Sequence, residues 1–291
     1  MKPASFEYDD PNTVEEALEL LAQYGDECKV LAGGQSLVPL MNFRLARPAR
    51  LIDLNRVDSL AYIRQDEGRV VIGSMTRHAQ LEHSAEVAQR WPLLTQAVEW
   101  VGHSQIRNRG TVGGSAAHAD PAAELSVAFA ALDARFHIRS QRGDRVLGWR
   151  EFFISEFTTA LEPDELLVAI DAPTPTPGTG TAFIEFARRH GDFALGGAAV
   201  TLTVDKAGRC SDAAIVLLAA GPAPVRAAAA EKLMQGAAPD ASAIGAAAEA
   251  AVDGLHPTSD IHGSSEYRVG LLRVMTERAL TQAAQRARYV Q

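Results

Sequence analysis

The feature that most constrains the fold is a proline- and glycine-rich stretch past the middle of the chain. Residues 173–181 hold three prolines and two glycines in nine positions, a composition typical of a linker or long turn. Before this stretch, strand-like and helix-like patterns alternate. After it, strand-like runs are followed by helix-like segments. This order predicts an α/β first portion and an α+β tail, and therefore an α+β chain overall.

Hydrophobic periodicity and helix-end chemistry place the individual elements. A Thr13–Glu16 capping box starts the first helix, which should end at Gly25. Further helices are expected from Leu37, Thr76, Pro92 and Pro121. Predicted strands cover residues 28–32, 50–54, 69–73, 136–138, 166–170, 182–186, 198–204 and 213–218. Predicted C-terminal helices cover about residues 225–235, 240–252 and 265–287.

Composition and charge exclude several classes of protein. The 291 residues carry a net charge of −8, which argues against nucleic acid as a main partner because phosphate binding needs a basic surface. No apolar run reaches the 18 residues of a membrane span, and the N-terminal residues lack the apolar region of a signal peptide. We therefore expect a cytoplasmic protein. Cys28 and Cys210 cannot supply the four thiolates of an iron–sulfur cluster, so buried thiols are the preferred interpretation.

Two short segments with paired glycines point to anion binding. One is residues 32–36, Ala-Gly-Gly-Gln-Ser, and the other is residues 110–115, Gly-Thr-Val-Gly-Gly-Ser. Glycine permits positive φ and close approach of a ligand, and successive free N–H groups form an anion nest. Two such loops suit a pyrophosphate held from both sides. Either loop alone is more often an ordinary tight turn, and neither fits the Rossmann or Walker pattern.

Three longer strings resemble one protein family. Residues 31–40, LAGGQSLVPL, and residues 106–121, IRNRGTVGGSAAHADP, are similar to the two FAD loops of the medium subunits of xanthine dehydrogenase and carbon monoxide dehydrogenase type enzymes. Residues 186–194, FARRHGDFA, are similar to the family's Arg-Arg-x-x-Asp-aromatic-Ala segment. The order, spacing and length fit along essentially the whole chain. The resemblance is therefore to the FAD-binding medium subunits of molybdenum hydroxylases.

The resemblance implies a fold and a set of FAD contacts. It implies two α/β subdomains of the vanillyl-alcohol-oxidase (PCMH) type, at residues 1–55 and 56–175. A C-terminal domain with a three-stranded antiparallel sheet and helices would follow at residues 176–291. No catalytic residue or metal ligand is expected, and FAD should bind non-covalently. The residues implied to contact FAD are Ala32, Gly33, Gly34, Gln35, Ser36, Leu37, Val101, Ile106, Gly110, Thr111, Gly113, Gly114, Ser115, Glu124, Leu166, Leu167 and Phe193.

Several positions depart from the family or keep a second interpretation. Phe193 stands where carbon monoxide dehydrogenase relatives have Tyr, and Ser115 where many relatives have Asn. Many relatives also carry a Lys near the position of Glu185. Losing that Lys removes a positive charge near the flavin. His118 and Asp120 have metal-ligand chemistry, but Asp120 more often starts a helix before Pro121. The pair at residues 188–189, Arg-Arg, suits subunit docking and a solvated surface equally.

The implied function is that of an electron-transfer subunit. A small partner subunit would carry two two-iron, two-sulfur clusters, and a large one would carry molybdopterin. The assembly would be a dimer of such heterotrimers, with no nucleic acid partner and no transmembrane segment. This chain would take electrons from the clusters and pass them to an external acceptor. The alternative is a stand-alone FAD-dependent reductase of the same superfamily, and a non-enzymatic scaffold is a third. Valine at Gly34 or Gly113 should abolish FAD binding by blocking the phosphate and resisting positive φ.

Overall fold

The N-terminal part of the protein is a small parallel sheet with helices between its strands. The structure, a computed structural model, describes residues 2–290. The strands pair in the order β1-β3-β2, all parallel. Thr13 Oγ1 accepts from the N–H of Glu16 at 3.1 Å, and Gly25 ends the first helix at φ 48°, as predicted. The elements are β1 (Glu7–Asp9), α1 (Val14–Tyr24), β2 (Cys28–Leu31), α2 (Leu37–Asn42) and β3 (Arg50–Asp53).

A five-stranded antiparallel sheet forms the centre of the molecule. Its strand order is β4-β5-β10-β6-β7, with a cluster of short helices inserted between β5 and β6. The antiparallel pairing refines the α/β expectation for this part. The elements are β4 (Ile63–Asp66), β5 (Arg69–Gly73), α3 (His78–Glu82), α4 (Ala85–Arg90), α5 (Pro92–Val98), α6 (Ser104–Arg109), α7 (Val112–His118), α8 (Glu124–Ala131), β6 (Arg135–Ser140), β7 (Gly143–Gly148), α9 (Trp149–Phe152), β8 (Phe153–Ser155), β9 (Thr158–Thr159) and β10 (Leu166–Pro173).

The C-terminal part is an antiparallel sheet covered by helices. The three predicted strands are present, and a two-residue fourth strand extends the sheet in the order β11-β12-β13-β14. The predicted helices are also present, and the last is the longest. The elements are β11 (Gly180–Phe186), β12 (Gly196–Val204), β13 (Cys210–Leu218), β14 (Val225–Arg226), α10 (Ala228–Met234), α11 (Ala241–Val252) and α12 (Ser265–Arg286).

The C-terminal sheet joins two hydrophobic cores. Alternate residues of its strands point to opposite faces, so Ala199 and Val216 belong to the central core with α5 and α8. Ala198 and Val200 belong to a second core with α10, α11 and α12. A third core lies under the parallel sheet. The boundaries at residues 55 and 175 stay predictions, although the sheet order agrees with a three-part chain.

Three local predictions differ from the structure. The Thr76 hydroxyl donates to Tyr62 O at 2.8 Å, and α3 starts after Arg77 instead. The last apolar helix of the first portion starts at Glu124, because Asp120 Oδ1 accepts from Ala122 N at 2.8 Å and holds a turn. Residues 112–115 are helical, not a loop.

No helix within residues 2–290 is both long enough and apolar enough to span a membrane.

Candidate FAD-binding site

The first glycine segment is an open nest of backbone N–H groups. Residues 32–36 connect β2 to α2, and Gly34 has φ +71°, a conformation that favours glycine. Gln35 Nε2 donates to Gly33 O at 2.9 Å and closes the turn. Within the described chain, the N–H groups of residues 33–37 donate to no protein acceptor. A run of free N–H groups next to positive φ is the geometry that binds anionic oxygens.

The second glycine segment runs into the first turn of α7, and the N–H groups of Gly110 and of residues 112–115 are already engaged. Thr111 caps the helix, since its Oγ1 accepts from Gly114 N at 3.1 Å. Val112 N donates to Thr76 O at 2.9 Å, and Gly113 N donates to Ser74 O at 2.8 Å. The expectation of free N–H groups on both sides of the ligand is therefore wrong for this segment. Its assignment to FAD binding stays a prediction that rests on proximity.

The two segments touch each other. A β-carbon on Gly33 would lie 2.7 Å from Gly110 Cα, and one on Gly114 would lie 3.5 Å from Ala32 Cβ. Gly33 is needed because the two backbones approach each other there with no room for a side chain, whereas at Gly114 the tight contact is with the capping Thr111 Oγ1 at 2.6 Å. The predicted residues Ala32, Gly33, Gly110 and Gly114 are therefore brought together at one place.

Two polar side chains that sequence reasoning missed connect the segments. Asn55 Nδ2 donates to Ala32 O at 3.0 Å, and Asn55 Oδ1 accepts from Arg77 at 2.6 Å. Arg77 also donates to Arg109 O. Burial, followed by the charge of Arg109, lowers the pKa of Arg77, yet a guanidinium stays charged in proteins. The nest therefore has a fixed cation beside it.

A buried histidine contacts the second segment through one ring nitrogen. His78 is 3% exposed, and its Nε2 lies 2.9 Å from Thr111 O and 3.0 Å from Ser115 Oγ. Burial lowers its pKa to about 4, so the imidazole is neutral near pH 7. His78 was missed because a single histidine after a strand has no diagnostic pattern.

A cavity of about 670 Å³ lies between the first portion and the C-terminal part. Its wall includes Pro121 and Ala122 from the turn before α8, and Phe193 from the turn between β11 and β12. Phe193 is 75% exposed, so its ring is free to face a ligand. Glu124 is the first residue of α8 and is 9% exposed. Burial, followed by the charge of Asp120, raises the pKa of Glu124 to about 7.

The predicted apolar contacts are placed less favourably. Leu166 and Leu167 are each 4% exposed and belong to two different cores. Val101 precedes α6, Ile106 lies within it, and both are half-buried. Ser36 and Leu37 start α2 with no side-chain cap. Flavin contact by the two leucines, by Val101 and by Ile106 stays a prediction.

The side chains with two interpretations show structural contacts. His118 packs against the Phe157 ring with centroids 5.1 Å apart. Asp120 holds the turn already described. Arg188 is 56% exposed, lines the cavity and lies 3.6 Å from Asp192. Both cysteines are buried and unpaired, as preferred from the sequence.

Comparison with known proteins identifies the family. The protein-family model described as the FAD binding domain in molybdopterin dehydrogenase matches residues 4–175. The family model of the CO dehydrogenase flavoprotein C-terminal domain matches residues 181–283. The 6-hydroxypseudooxynicotine dehydrogenase complex subunit alpha of Paenarthrobacter nicotinovorans is 48% identical, covering 99% of this chain and 97% of the relative. The carbon monoxide dehydrogenase medium chain of Afipia carboxidovorans is 37% identical, covering 99% and 100%.

A solved structure agrees over the same length. A chain of carbon monoxide dehydrogenase from Hydrogenophaga pseudoflava, in a form that lacks the Mo-pyranopterin moiety of its molybdenum cofactor, superposes with a TM-score of 0.96. It is 39% identical, and the match covers 99% of this chain and 100% of that one. The chain therefore belongs to the FAD-binding medium subunits of the molybdenum hydroxylases.

Proposed function

We propose that this chain is the FAD-carrying electron-transfer subunit of a heterotrimeric molybdenum hydroxylase. It receives electrons from two two-iron, two-sulfur clusters on a small subunit and passes them to an external acceptor. Hydroxylation takes place on a large subunit that carries molybdopterin. The holoenzyme is proposed to be a cytoplasmic dimer of such heterotrimers.

The observation that carries this proposal is the cation-flanked nest in residues 33–37. Its free N–H groups need acceptors, and a pyrophosphate supplies several anionic oxygens. Across residues 2–290, neither Arg77 nor Arg109 forms an ion pair with a carboxylate. An anion bound at the nest would compensate both charges. The residues present therefore fit the diphosphate of FAD.

The chain's own residues position a cofactor; they do not perform acid–base chemistry. FAD, when bound, supplies an electron carrier, and the protein supplies its orientation and electrostatic surroundings. In our proposal, the nest holds the diphosphate and the cavity at Phe193 receives the ring system. An aromatic face at Phe193 can stack on a planar ring. The two cysteines are too few for a cluster, so the clusters must belong to partners.

The substrate is proposed to be chosen outside this chain. Relatives named for 6-hydroxypseudooxynicotine, caffeine and carbon monoxide differ widely in substrate chemistry. They nevertheless align with 98–99% of this chain at 37–48% identity. A subunit that discriminated among such substrates would be expected to differ in its own cavity.

Anaerobic reduction tests the proposal. The chain is purified alone and in complex with its small and large partner subunits. The flavin absorbance of both samples is recorded before and after substrate is added. We expect both to be yellow and only the complex to bleach. A colourless chain would refute FAD binding. Turnover of NAD(P)H with a small molecule by the isolated chain would favour the stand-alone reductase instead.

A further inference from the structure

Glu185 is a buried carboxyl group without a protein partner. It lies on β11, is 6% exposed, and neither of its carboxylate oxygens forms a hydrogen bond within the described chain. An ionised carboxylate in such surroundings is strongly unfavourable unless a cation or several donors compensate it. The group must therefore be neutral or compensated by something other than the protein.

Glu124 is a second buried carboxyl group near Glu185. It starts α8, which packs against β12 and β13, and β12 is the direct neighbour of β11. The negative charge of Glu124 acts on Glu185. Two buried carboxyl groups that act on each other in a medium of low polarity do not readily ionise together.

Both glutamates are close in the chain to residues that line the cavity, or to residues bonded to its lining. Glu124 follows Ala122, which lines the cavity, by two residues. On the other side, Phe186, next to Glu185, accepts at its carbonyl from Leu195 N at 2.8 Å, and Leu195 also lines the cavity. The pair is therefore adjacent in the chain to the wall of the cavity that we propose receives the flavin.

The charged groups on the surrounding elements do not neutralise the pair. Asp120 adds a further negative charge near Glu124. Five cations of the packed elements are engaged elsewhere: Arg268 with Asp260 and Leu195 O, Arg286 with Thr181 O, Arg273 with Glu249, and Arg226 and Arg150 with Asp133. Arg278 on α12 and Lys232 on α10 are exposed. His118 contacts Phe157. Strand β12 and helix α5 carry no titratable side chain.

We propose that Glu124 and Glu185 form a buried carboxyl pair that retains one proton at neutral pH, with Glu185 as its neutral member. The pair then carries one negative charge. Burial and the charge of Glu124 raise the pKa of Glu185 to about 9, above the value of about 7 for Glu124. The pair should therefore titrate in two steps, and it keeps one proton in the pH range between the two steps.

The consequence for the flavin rests on the proposed function. A full negative charge near an electron acceptor makes its reduction less favourable. When the pair loses its second proton above pH 9, the flavin midpoint potential of the wild type should fall below that of Glu185→Gln. Only this readout requires FAD. A failure of FAD binding therefore leaves the other two readouts intact and is distinguishable from a failure of the carboxyl pair.

Infrared spectroscopy of the full-length chain tests the pair itself. At pH 8 we expect the carbonyl stretch of a protonated carboxylic acid, which fades as pH rises past 9 and is lost in Glu185→Gln. The exposed Glu19 provides the matched control, since Glu19→Gln should keep the band. In Glu124→Gln, Glu185 loses the neighbouring charge, so the band should fade at lower pH. A wild type without the band, or a band unchanged in Glu185→Gln, would overturn the proposal.

Stability gives an independent readout. The pKa of Glu185 is raised from 4.5 in the unfolded chain to about 9 in the fold. Stability from this group is therefore present below pH 4.5 and is lost as pH rises towards 9. Glu185→Gln lacks this loss, so its melting temperature relative to the wild type should rise steadily over that range. If the difference stays constant with pH, Glu185 is not protonated. If Glu185→Gln does not fold, the shift of the infrared band in Glu124→Gln decides.

Discussion

Replacing Gly33 by alanine tests whether the close contact of the two glycine segments shapes the FAD site. The new β-carbon would lie 2.7 Å from Gly110 Cα and 3.0 Å from the carbonyl carbon of Arg109. Unstrained carbon atoms approach to about 3.5 Å, so the segments must separate by roughly 0.8 Å. Both neighbours are backbone atoms, and no side-chain rotation can relieve the contact.

Overpacking of this kind costs about 1–3 kcal/mol. If the bound state bears that cost, FAD affinity should fall by roughly 5- to 140-fold, since 1.4 kcal/mol corresponds to a factor of ten. Fluorescence titration of the apoprotein with FAD measures the change. The matched control is Gly245→Ala, because Gly245 in α11 has open space around it and an ordinary φ. A folded Gly33→Ala protein with wild-type FAD affinity would refute the reasoning.

Three further changes probe the polar groups around the site and in the central sheet. Asn55→Ala removes the bonds to Ala32 O and Arg77. FAD affinity by titration should fall about tenfold, because a polar group left without its partner costs about 1–3 kcal/mol. Asp171→Asn should lower the free energy of unfolding by about 2 kcal/mol at pH 7 in urea titrations. Burial raises the pKa of Asp171, but hydrogen bonds from His137, Arg135 and Arg69 outweigh it and hold the pKa at about 2. This difference should shrink as pH falls from 3.8 to 2, because the stabilising charge is lost there. His78→Gln should remove a stability loss of about 3 kcal/mol as pH falls from 6.5 to 4, the range in which His78 is neutral in the fold and protonated in the unfolded chain. An unchanged pH profile of stability would contradict the burial of His78 as a neutral base.

The fold was predictable where local signals and packing agree. The strand at residues 69–73 and the helix from Pro92 are present at the predicted positions. The helical state of residues 112–115 was missed because paired glycines are poor helix formers. In the structure, Ser74 O and Thr76 O bind the first N–H groups of that helix. Bonds from residues this distant in sequence override the local preference, and no local pattern reports them.

The same limit applies to the site. The resemblance named the glycines of both segments, and the structure brings Gly33 next to Gly110. The resemblance gave no indication of Asn55, Arg77 and His78. They follow strands β3 and β5 and bind the segments, or the residue before the second segment, across 23 to 37 residues. Their roles depend on the sheet order, which places the ends of those strands beside the glycine segments. A motif can identify the backbone that approaches a ligand, but it does not identify the side chains that hold that backbone in place.

Gly34 and Gly113 show how one sequence motif can combine two different physical demands. Valine at either position was expected to block the phosphate and resist positive φ. For Gly34 the second reason holds, since its φ is +71° and its neighbours are side-chain atoms more than 3 Å away. For Gly113 neither reason fits, because it lies in a helix and a β-carbon would meet Ser74 Cα at 2.7 Å. Gly113 is therefore required for packing α7 onto the segment after β5, and its effect on FAD would follow from displacing that helix.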